Sequence, residues 1–257
     1  MPMSQPHEPT QAPLWADCRI LPWTAPLTWL SAGWGDYWRA PGLSFIYGAL
    51  ITVLSAMVSW FAWSLGRFAL LSLLLSGFVF VAPLLAVGLY SVSRDLGNQM
   101  QPRLQRSFEL ARRLIGQAGV LTLLLLVVLL VWSRAGMLLY ALMPVQAGDR
   151  GALLELLAVG SAVGALFASF VFAMVAFSLP MIADRGVDMV TACLSSIHAV
   201  LRNKLAAMVW AGAIVVLIAL GVLLGLVGLI VVMPWLAYAT WHGYLAVLDP
   251  TPWPRLQ

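Results

Sequence analysis

Long apolar runs, each bounded by charged residues, glycine or proline, dominate the pattern of residues along this chain. A helix needs about 20 apolar residues to cross the ~30 Å hydrocarbon core of a bilayer. Runs of that length predict six membrane-spanning helices, at residues 43–63, 68–90, 117–143, 153–182, 205–224 and 226–248. The last two belong to one uncharged block that is about twice as long as one crossing. We expect it to turn back at the glycines Gly221, Gly225 and Gly228.

Shorter amphipathic segments precede the first, third and fifth of these spans. In the clearest segment, apolar side chains recur at helical spacing from Leu104 to Ile115, while arginines occupy the other side. This pattern is typical of a helix lying in the membrane interface. Each segment ends at an arginine: Arg39, Arg113 and Arg202. The expected interfacial anchors are Trp29, Trp34, Trp38, Leu104, Phe108 and Ile115.

A proline recurs in the second span of each consecutive pair. Pro83, Pro180 and Pro234 each precede a short apolar stretch that ends in alanine, and we expect a helix kink or a helix end at each. The chain therefore predicts an all-α integral membrane protein with six transmembrane helices in three hairpins. Each hairpin follows a short cytoplasmic interfacial amphipathic helix. Residues 24–250 would form one membrane domain between a flexible cytoplasmic tail, 1–23, and a second cytoplasmic tail, 251–257.

Composition excludes an ordinary soluble enzyme, because 62% of the 257 residues are hydrophobic, only 9% are charged, and the mean hydropathy is +0.93. With a cytoplasmic N-terminus, eleven of the 14 Lys and Arg residues fall on the cytoplasmic side, which predicts that both termini are cytoplasmic. The large excess of arginine over lysine favours a bacterial origin, and hence the bacterial inner membrane. The basic residues flank apolar runs, so we expect them to bind anionic lipid headgroups and expect no nucleic acid.

The predicted spans contain no Asp, Glu or Lys at mid-depth, and phosphate-binding and zinc-binding motifs are missing from the sequence. We therefore expect no catalytic residues, no enzymatic activity and no cofactor. His198 and His242 are the candidates for a metal or haem site, although each also fits a polar position at a wet interface. The pairs Arg94-Asp95 and Asp184-Arg185 lie at the predicted inner face. They either form ion pairs between repeat units or are solvated helix ends.

Several motifs together resemble a known family of bacterial proteins. They are Trp29-Leu30 with Gly33-Trp34 and Asp36, Tyr47-Gly48, Pro83-Leu84-Leu85-Ala86 with Gly88-Leu89-Tyr90, and Trp241-His242-Gly243-Tyr244. The chain resembles domain of unknown function 2189 from about Trp29 to Leu248. The resemblance implies an integral membrane protein and no particular activity.

Three functional hypotheses follow. The first is a non-enzymatic inner-membrane scaffold, assembly factor or accessory subunit, which would bind another membrane protein complex or form a homo-oligomer. The second is a transporter or channel for a small or apolar solute, which repeated hairpins with proline-interrupted helices favour. The third is a haem-associated or redox subunit that uses the two histidines.

Overall fold

The structure, a computed structural model, describes residues 13–65, 84–143 and 149–256. These residues are mostly helical, as the apolar periodicity predicts. In chain order the elements are β1 (Asp17–Cys18), α1 (Ala25–Arg39), α2 (Pro41–Leu65), α3 (84–97), α4 (Leu104–Arg113), α5 (Ile115–Leu142), α6 (Arg150–Val175), α7 (Ser178–Asp184), α8 (Met189–Arg202), α9 (Lys204–Leu223), α10 (Leu229–Val247) and β2 (Leu248–Asp249).

Five candidate membrane spans lie among the described residues. They are Pro41–Phe61, Ile115–Leu142, Arg150–Asp184, Lys204–Leu223 and Leu229–Val247. They coincide with the predicted spans at 43–63, 117–143, 153–182, 205–224 and 226–248. Most of the remaining predicted span, 68–90, lies outside the described residues, as does Pro83, and its last residues belong to α3.

The three amphipathic segments are helices, and each joins its membrane helix through one residue. α1 ends at Arg39 and α2 begins at Pro41; α4 ends at Arg113 and α5 begins at Ile115; α8 ends at Arg202 and α9 begins at Lys204. The joining residues Ala40, Leu114 and Asn203 have non-helical dihedral angles. The chain thus repeats one unit three times, a short amphipathic helix followed by a bend and a long apolar helix.

The long span 150–184 is interrupted at Ala176 and Phe177, which separate α6 from α7. Pro180 explains the position, because a proline ring clashes with the carbonyl four residues earlier, here that of Ala176. Ser196 of α8 stabilises the break. Its hydroxyl donates to the carbonyl of Ala173 (2.7 Å) and accepts from the backbone N–H of Phe177 (3.0 Å).

Helix α10 contacts α1 and α2 at very short range, and glycines allow this. A Cβ added at Gly33 of α1 would lie 2.5 Å from the backbone nitrogen of Ala239. A Cβ at Gly48 of α2 would overlap the carbonyl of Ile230. Pro234 has no N–H to donate to that same carbonyl, so the proline in α10 and the glycine in α2 meet at one point.

The two ends of the described chain pack together, which corrects the expected tails. β1 pairs antiparallel with β2, Asp17 opposite Asp249 and Cys18 opposite Leu248. Ala16 is fully buried, and Trp253 is 6% exposed. The expected tails 1–23 and 251–257 therefore contain packed segments, because their apolar side chains and backbone groups find partners in the folded chain that local sequence does not reveal.

The predicted turn between the last two spans is confirmed. Residues 224–228 form a turn, in which Gly225 and Leu226 both have φ of +69°. Glycine adopts this left-handed conformation at little cost, which explains its presence there. Gly221 and Gly228 face each other across the turn, since a Cβ on Gly228 would lie 2.7 Å from the Cα of Gly221.

Candidate functional site

A polar cavity of about 570 Å³ lies where α3, α7 and α10 end, beside α4 and the C-terminal segment. Its charged lining residues are five arginines and three acids: Arg94, Arg106, Arg113, Arg185, Arg255, Asp95, Glu109 and Asp184. Their formal charges sum to plus two. All four residues that the sequence singles out as possible inner-face ion pairs therefore line the same cavity.

The ion pairs of this cavity differ from a simple pairing between Arg94-Asp95 and Asp184-Arg185. Arg185 Nε lies 2.9 Å from Asp184 Oδ2, so this pair forms between chain neighbours. Asp95 Oδ2 instead pairs with Arg106 of α4 at 3.1 Å. Arg94 of α3 reaches α7, where its guanidinium donates to the backbone carbonyl of Ala183 at 2.9 Å.

The two aspartates of the cavity are both buried, and Tyr244 holds one of them, Asp184, in place. The hydroxyl of Tyr244 donates to Asp184 Oδ2 at 2.8 Å, and both residues are buried. Asp95 is 1% exposed, and its Oδ1 atom has no hydrogen-bond partner within the described part of the chain. Burial, the largest effect, lowers the pKa of the Arg94 guanidinium below its ordinary value, and the negative charges of Asp95 and Asp184 oppose that effect.

A second buried polar cluster surrounds Asp36 of α1, which is 4% exposed. Asp36 Oδ2 accepts from the hydroxyl of Ser93 at 2.8 Å and lies 2.8 Å from Nε2 of His242. Arg39 pairs with the other carboxylate oxygen at 3.4 Å. The sequence pattern misses this cluster, since its members come from α1, α3 and α10. The available signal is Asp36 itself, the one acid in a helix rich in aromatic and apolar residues.

The two candidate haem or metal ligands have different partners. His242 contacts Asp36, whereas the ring of His198 stacks on Trp15 at 5.8 Å between centroids. Among residues 13–65, 84–143 and 149–256, no group of three or more His, Cys, Asp or Glu side chains could hold a metal ion. A shared site at the two histidines therefore gains no support from the geometry.

Five of the six expected anchors lie at least partly on the outer surface. Phe108 is 72% exposed and Trp38 is 62% exposed, and Trp34, Leu104 and Ile115 are also exposed. The prediction of an interfacial anchor is wrong for Trp29, which is only 3% exposed and therefore buried. Its ring makes edge contacts with Phe177 and Trp210, and a Cβ on Gly243 would lie 2.9 Å from it. Helix α1 packs on α10 and α9, so one side of its aromatic surface faces the core.

An apolar cavity of about 450 Å³ lies among the membrane helices. Side chains of α2, α3, α5, α6, α7, α9 and α10 line it, including Ile218, Met233 and Thr240. Tyr90 also lines this cavity, and its ring stacks on Trp241, which lines the arginine-rich cavity, with centroids 6.4 Å apart. One aromatic pair thus stands between the apolar and the charged cavity.

Comparison with known families agrees with this membrane architecture. The chain is similar to the family described as predicted integral membrane protein (DUF2189) over residues 70–184. No curated protein and no solved structure was found to match the chain.

The family match confirms the resemblance inferred from the sequence motifs, over a shorter range than Trp29 to Leu248. It runs from the predicted second span to the end of α7, and so includes Arg94, Asp95, Arg106 and Asp184 of the arginine-rich cavity. Together with the apolar helices, it shows a multi-pass integral membrane protein. The family description names no activity.

Proposed function

We propose that this protein is a non-enzymatic scaffold, assembly factor or accessory subunit of the bacterial inner membrane, and that α5 and α6 bind a helix of another membrane protein. The end of the molecule that contains the arginine-rich cavity and both chain ends would face the cytoplasm. The observation that carries this proposal is how little of α5 and α6 the rest of the described chain covers.

The buried residues of α5 are Ala118, Leu121 and Thr122, all near its start, and those of α6 are Ala173 and Met174, near its end. Between these points the two helices expose apolar side chains such as Leu130, Leu154 and Leu166. Lipid can cover this surface. A bound helix would use it in addition, since α6 has small residues at four-residue spacing, Gly160, Gly164 and Ala168, that let helix backbones approach closely.

A groove between α5 and α6 supports the same interpretation. It has a volume of about 390 Å³, and Trp132, Gly164, Phe167 and Ala168 are among its lining residues. A Cβ added at Gly164 would meet no atom of the described residues within 4 Å, so packing within that part of the chain does not require the glycine. A helix from a partner would use the space that Gly164 leaves.

Site-specific photo-crosslinking in native membranes tests this proposal. A photoreactive residue at Phe167 should give one discrete protein adduct, because the side chain lines the groove. Gly164→Leu should remove that adduct by filling the groove. Gly136→Leu is the matched control, because a Cβ added at Gly136 would also meet no described atom within 4 Å but Gly136 lies outside the groove. It should leave the adduct intact.

Mass determination of the adduct distinguishes a second copy of this chain from a different protein. Crosslinks to lipid alone, unchanged by Gly164→Leu, would contradict a partner at this groove.

The apolar cavity favours transport of a small or apolar solute as a second candidate function, because such a solute needs no buried charge for binding. Ile218→Trp would fill the cavity, which Ile218 lines, and Ile218 is not among the lining residues of the α5–α6 groove. A transporter should then lose solute flux in proteoliposomes while its crosslink at Phe167 persists. A scaffold should show no flux before the substitution or after it.

A further inference from the structure

The arginine-rich cavity has a half-buried cation without a direct counter-ion. Arg94 donates one hydrogen bond, to the neutral carbonyl of Ala183. In the part of the chain that the structure describes, no carboxylate lies within 4.0 Å of its guanidinium. Removing a charged group from water is unfavourable unless an opposite charge or strong hydrogen bonds replace the water. An anion in the cavity would supply both.

The two aspartates of the cavity are already engaged with other groups. Asp184 accepts from Tyr244 and Arg185, and Asp95 Oδ2 accepts from Arg106. Their charges therefore offset neighbouring arginines, and the lining as a whole keeps its net positive charge. A second observation also points to a ligand. The Oδ1 atom of the buried Asp95 has no partner among the described residues and needs a hydrogen-bond donor. A ligand that carries both an anion and a hydroxyl or ammonium donor would satisfy Arg94 and Asp95 together.

Phosphate suits this lining because a guanidinium forks two parallel hydrogen bonds onto phosphate oxygens, and such charge-assisted bonds are stronger than neutral ones. The cavity lies at the C-terminal ends of the candidate membrane spans Arg150–Asp184 and Leu229–Val247, where a spanning helix reaches the depth of the lipid headgroups. The apolar cavity begins beyond the Tyr90–Trp241 pair. A charged cavity followed by an apolar cavity suits an amphipathic ligand, whose polar end would lie in the first and whose apolar part would lie in the second.

We propose that the cavity around Arg94 binds a phosphate group, presented by a glycerophospholipid headgroup or by a small soluble phosphate ester. Arg94 would donate to the phosphate oxygens, and Arg185 would add its Nη2 group, since its Nε and Nη1 groups already donate to Asp184 and to the carbonyl of Trp253. Asp95 would accept from a headgroup hydroxyl or ammonium. This proposal is independent of the scaffold function, because it uses neither the α5–α6 groove nor a protein partner.

The experiment uses the delipidated full-length protein in detergent, with binding followed by native mass spectrometry and by the shift in unfolding temperature. Phosphatidylglycerol should bind and raise the unfolding temperature, whereas diacylglycerol with the same acyl chains, which lacks the phosphate, should do neither. Inorganic phosphate and glycerol phosphate are tested alone and as competitors. Binding of these soluble anions on their own, without binding or stabilisation by the lipid, would assign the site to a soluble ester.

Arg94→Gln should weaken phosphatidylglycerol binding by about ten-fold or more, the effect of losing a charge-assisted hydrogen bond. Arg94→Lys, which keeps the charge, should restore part of the affinity. Arg134→Gln is the control, because Arg134 is exposed on α5 and lies outside the cavity. Arg255→Gln, at an exposed position of the cavity lining, should also weaken phosphatidylglycerol binding. This second test does not depend on the fold tolerating a change at Arg94.

Two results would overturn the proposal. One is equal binding of phosphatidylglycerol and diacylglycerol together with no effect of either soluble phosphate. The other is a loss of affinity in Arg134→Gln as large as that in Arg94→Gln and Arg255→Gln, since general surface charge would then explain the binding.

Discussion

At the scale of single residues, Asp36 joins more elements than any other acid described above. Its carboxylate contacts Arg39 within α1, Ser93 of α3 and His242 of α10. The side chain is almost completely buried, so these contacts replace the water that the carboxylate would otherwise bind. Asp36 therefore fixes how three helices meet.

Replacing Asp36 by alanine should lower the free energy of unfolding by about 2–3 kcal/mol, because Ser93 and His242 lose a shared buried acceptor. Thermal unfolding of the protein in detergent micelles would measure the change. Asp17→Ala is the matched control, since the Asp17 side chain is exposed and surface substitutions usually change stability by less than about 0.5 kcal/mol. Equal effects of the two substitutions would show that the Asp36 cluster adds no stability.

The residue scale also shows what sequence reasoning could not find. Arg94, Asp95, Asp184 and Arg185 are recognisable from the sequence because charges are rare in this chain and each pair follows a predicted span. Arg106 and Tyr244 are not, because their roles depend on α4 and α10 lying beside α3 and α7. The predicted anchor role of Trp29 is wrong for the same reason. Amphipathic periodicity indicates which side of α1 is apolar, but α10 and lipid are both apolar neighbours.

At the scale of elements, helix bounds follow closely from local pattern. The predicted span 117–143 is observed as Ile115–Leu142, and the three amphipathic helices end at the predicted arginines. These features depend on residues near in sequence. The break before Pro180 also has a local cause, although Ser196, which satisfies the freed backbone groups, comes from another helix.

Gly33→Ala should disrupt the contact between α1 and α10, because the added methyl group would lie 2.5 Å from a backbone nitrogen that cannot move alone. We expect a loss of about 1–3 kcal/mol, typical of overpacking. Gly35→Ala in the same helix is the control. Its methyl group would meet nothing within 4 Å, and alanine favours helix over glycine, so stability should stay equal or rise slightly. Comparable losses in both variants would contradict the close approach.

Helix α4 tests the interfacial interpretation. In α4, Leu104 and Phe108 are exposed whereas Leu110 packs into the core, and Ile115 at the start of α5 is exposed as well. One apolar side of α4 is therefore left for lipid. A peptide covering Gln101–Gly116 should become helical on anionic vesicles and bind more weakly at high salt, since its arginines contact the headgroups. Phe108→Asp should abolish binding, which circular dichroism would follow. Glu109→Gln is the control, because Glu109 lies off the apolar side and should leave binding intact or strengthen it.

A peptide that stays disordered on anionic vesicles would contradict membrane binding by α4 on its own. Phe108→Asp without effect in the full-length protein would contradict it in the folded chain.

At the scale of the whole molecule, the pairing of β1 with β2 constrains the topology. Both ends of the described chain lie at one face, which requires an even number of membrane crossings between them. Five candidate spans are found among the described residues. The predicted span at 68–90 would be the sixth and would make the number even. An even number of crossings is consistent with six membrane helices, which stays a prediction because most of the span 68–90 lies outside the described residues.

Cysteine labelling tests this topology in the full-length protein after Cys18 and Cys193 have been replaced by serine. With both termini cytoplasmic, the turn at 224–228 lies outside. Leu224 is 70% exposed there and avoids the left-handed φ of Gly225. A membrane-impermeant maleimide should therefore label Leu224→Cys in intact spheroplasts. Gly97→Cys is the opposite-side control: it is exposed, has space for a side chain, and should react only in inverted vesicles. Labelling of both positions from the same side would show that an even number of crossings separates them, and the six-span topology would fail.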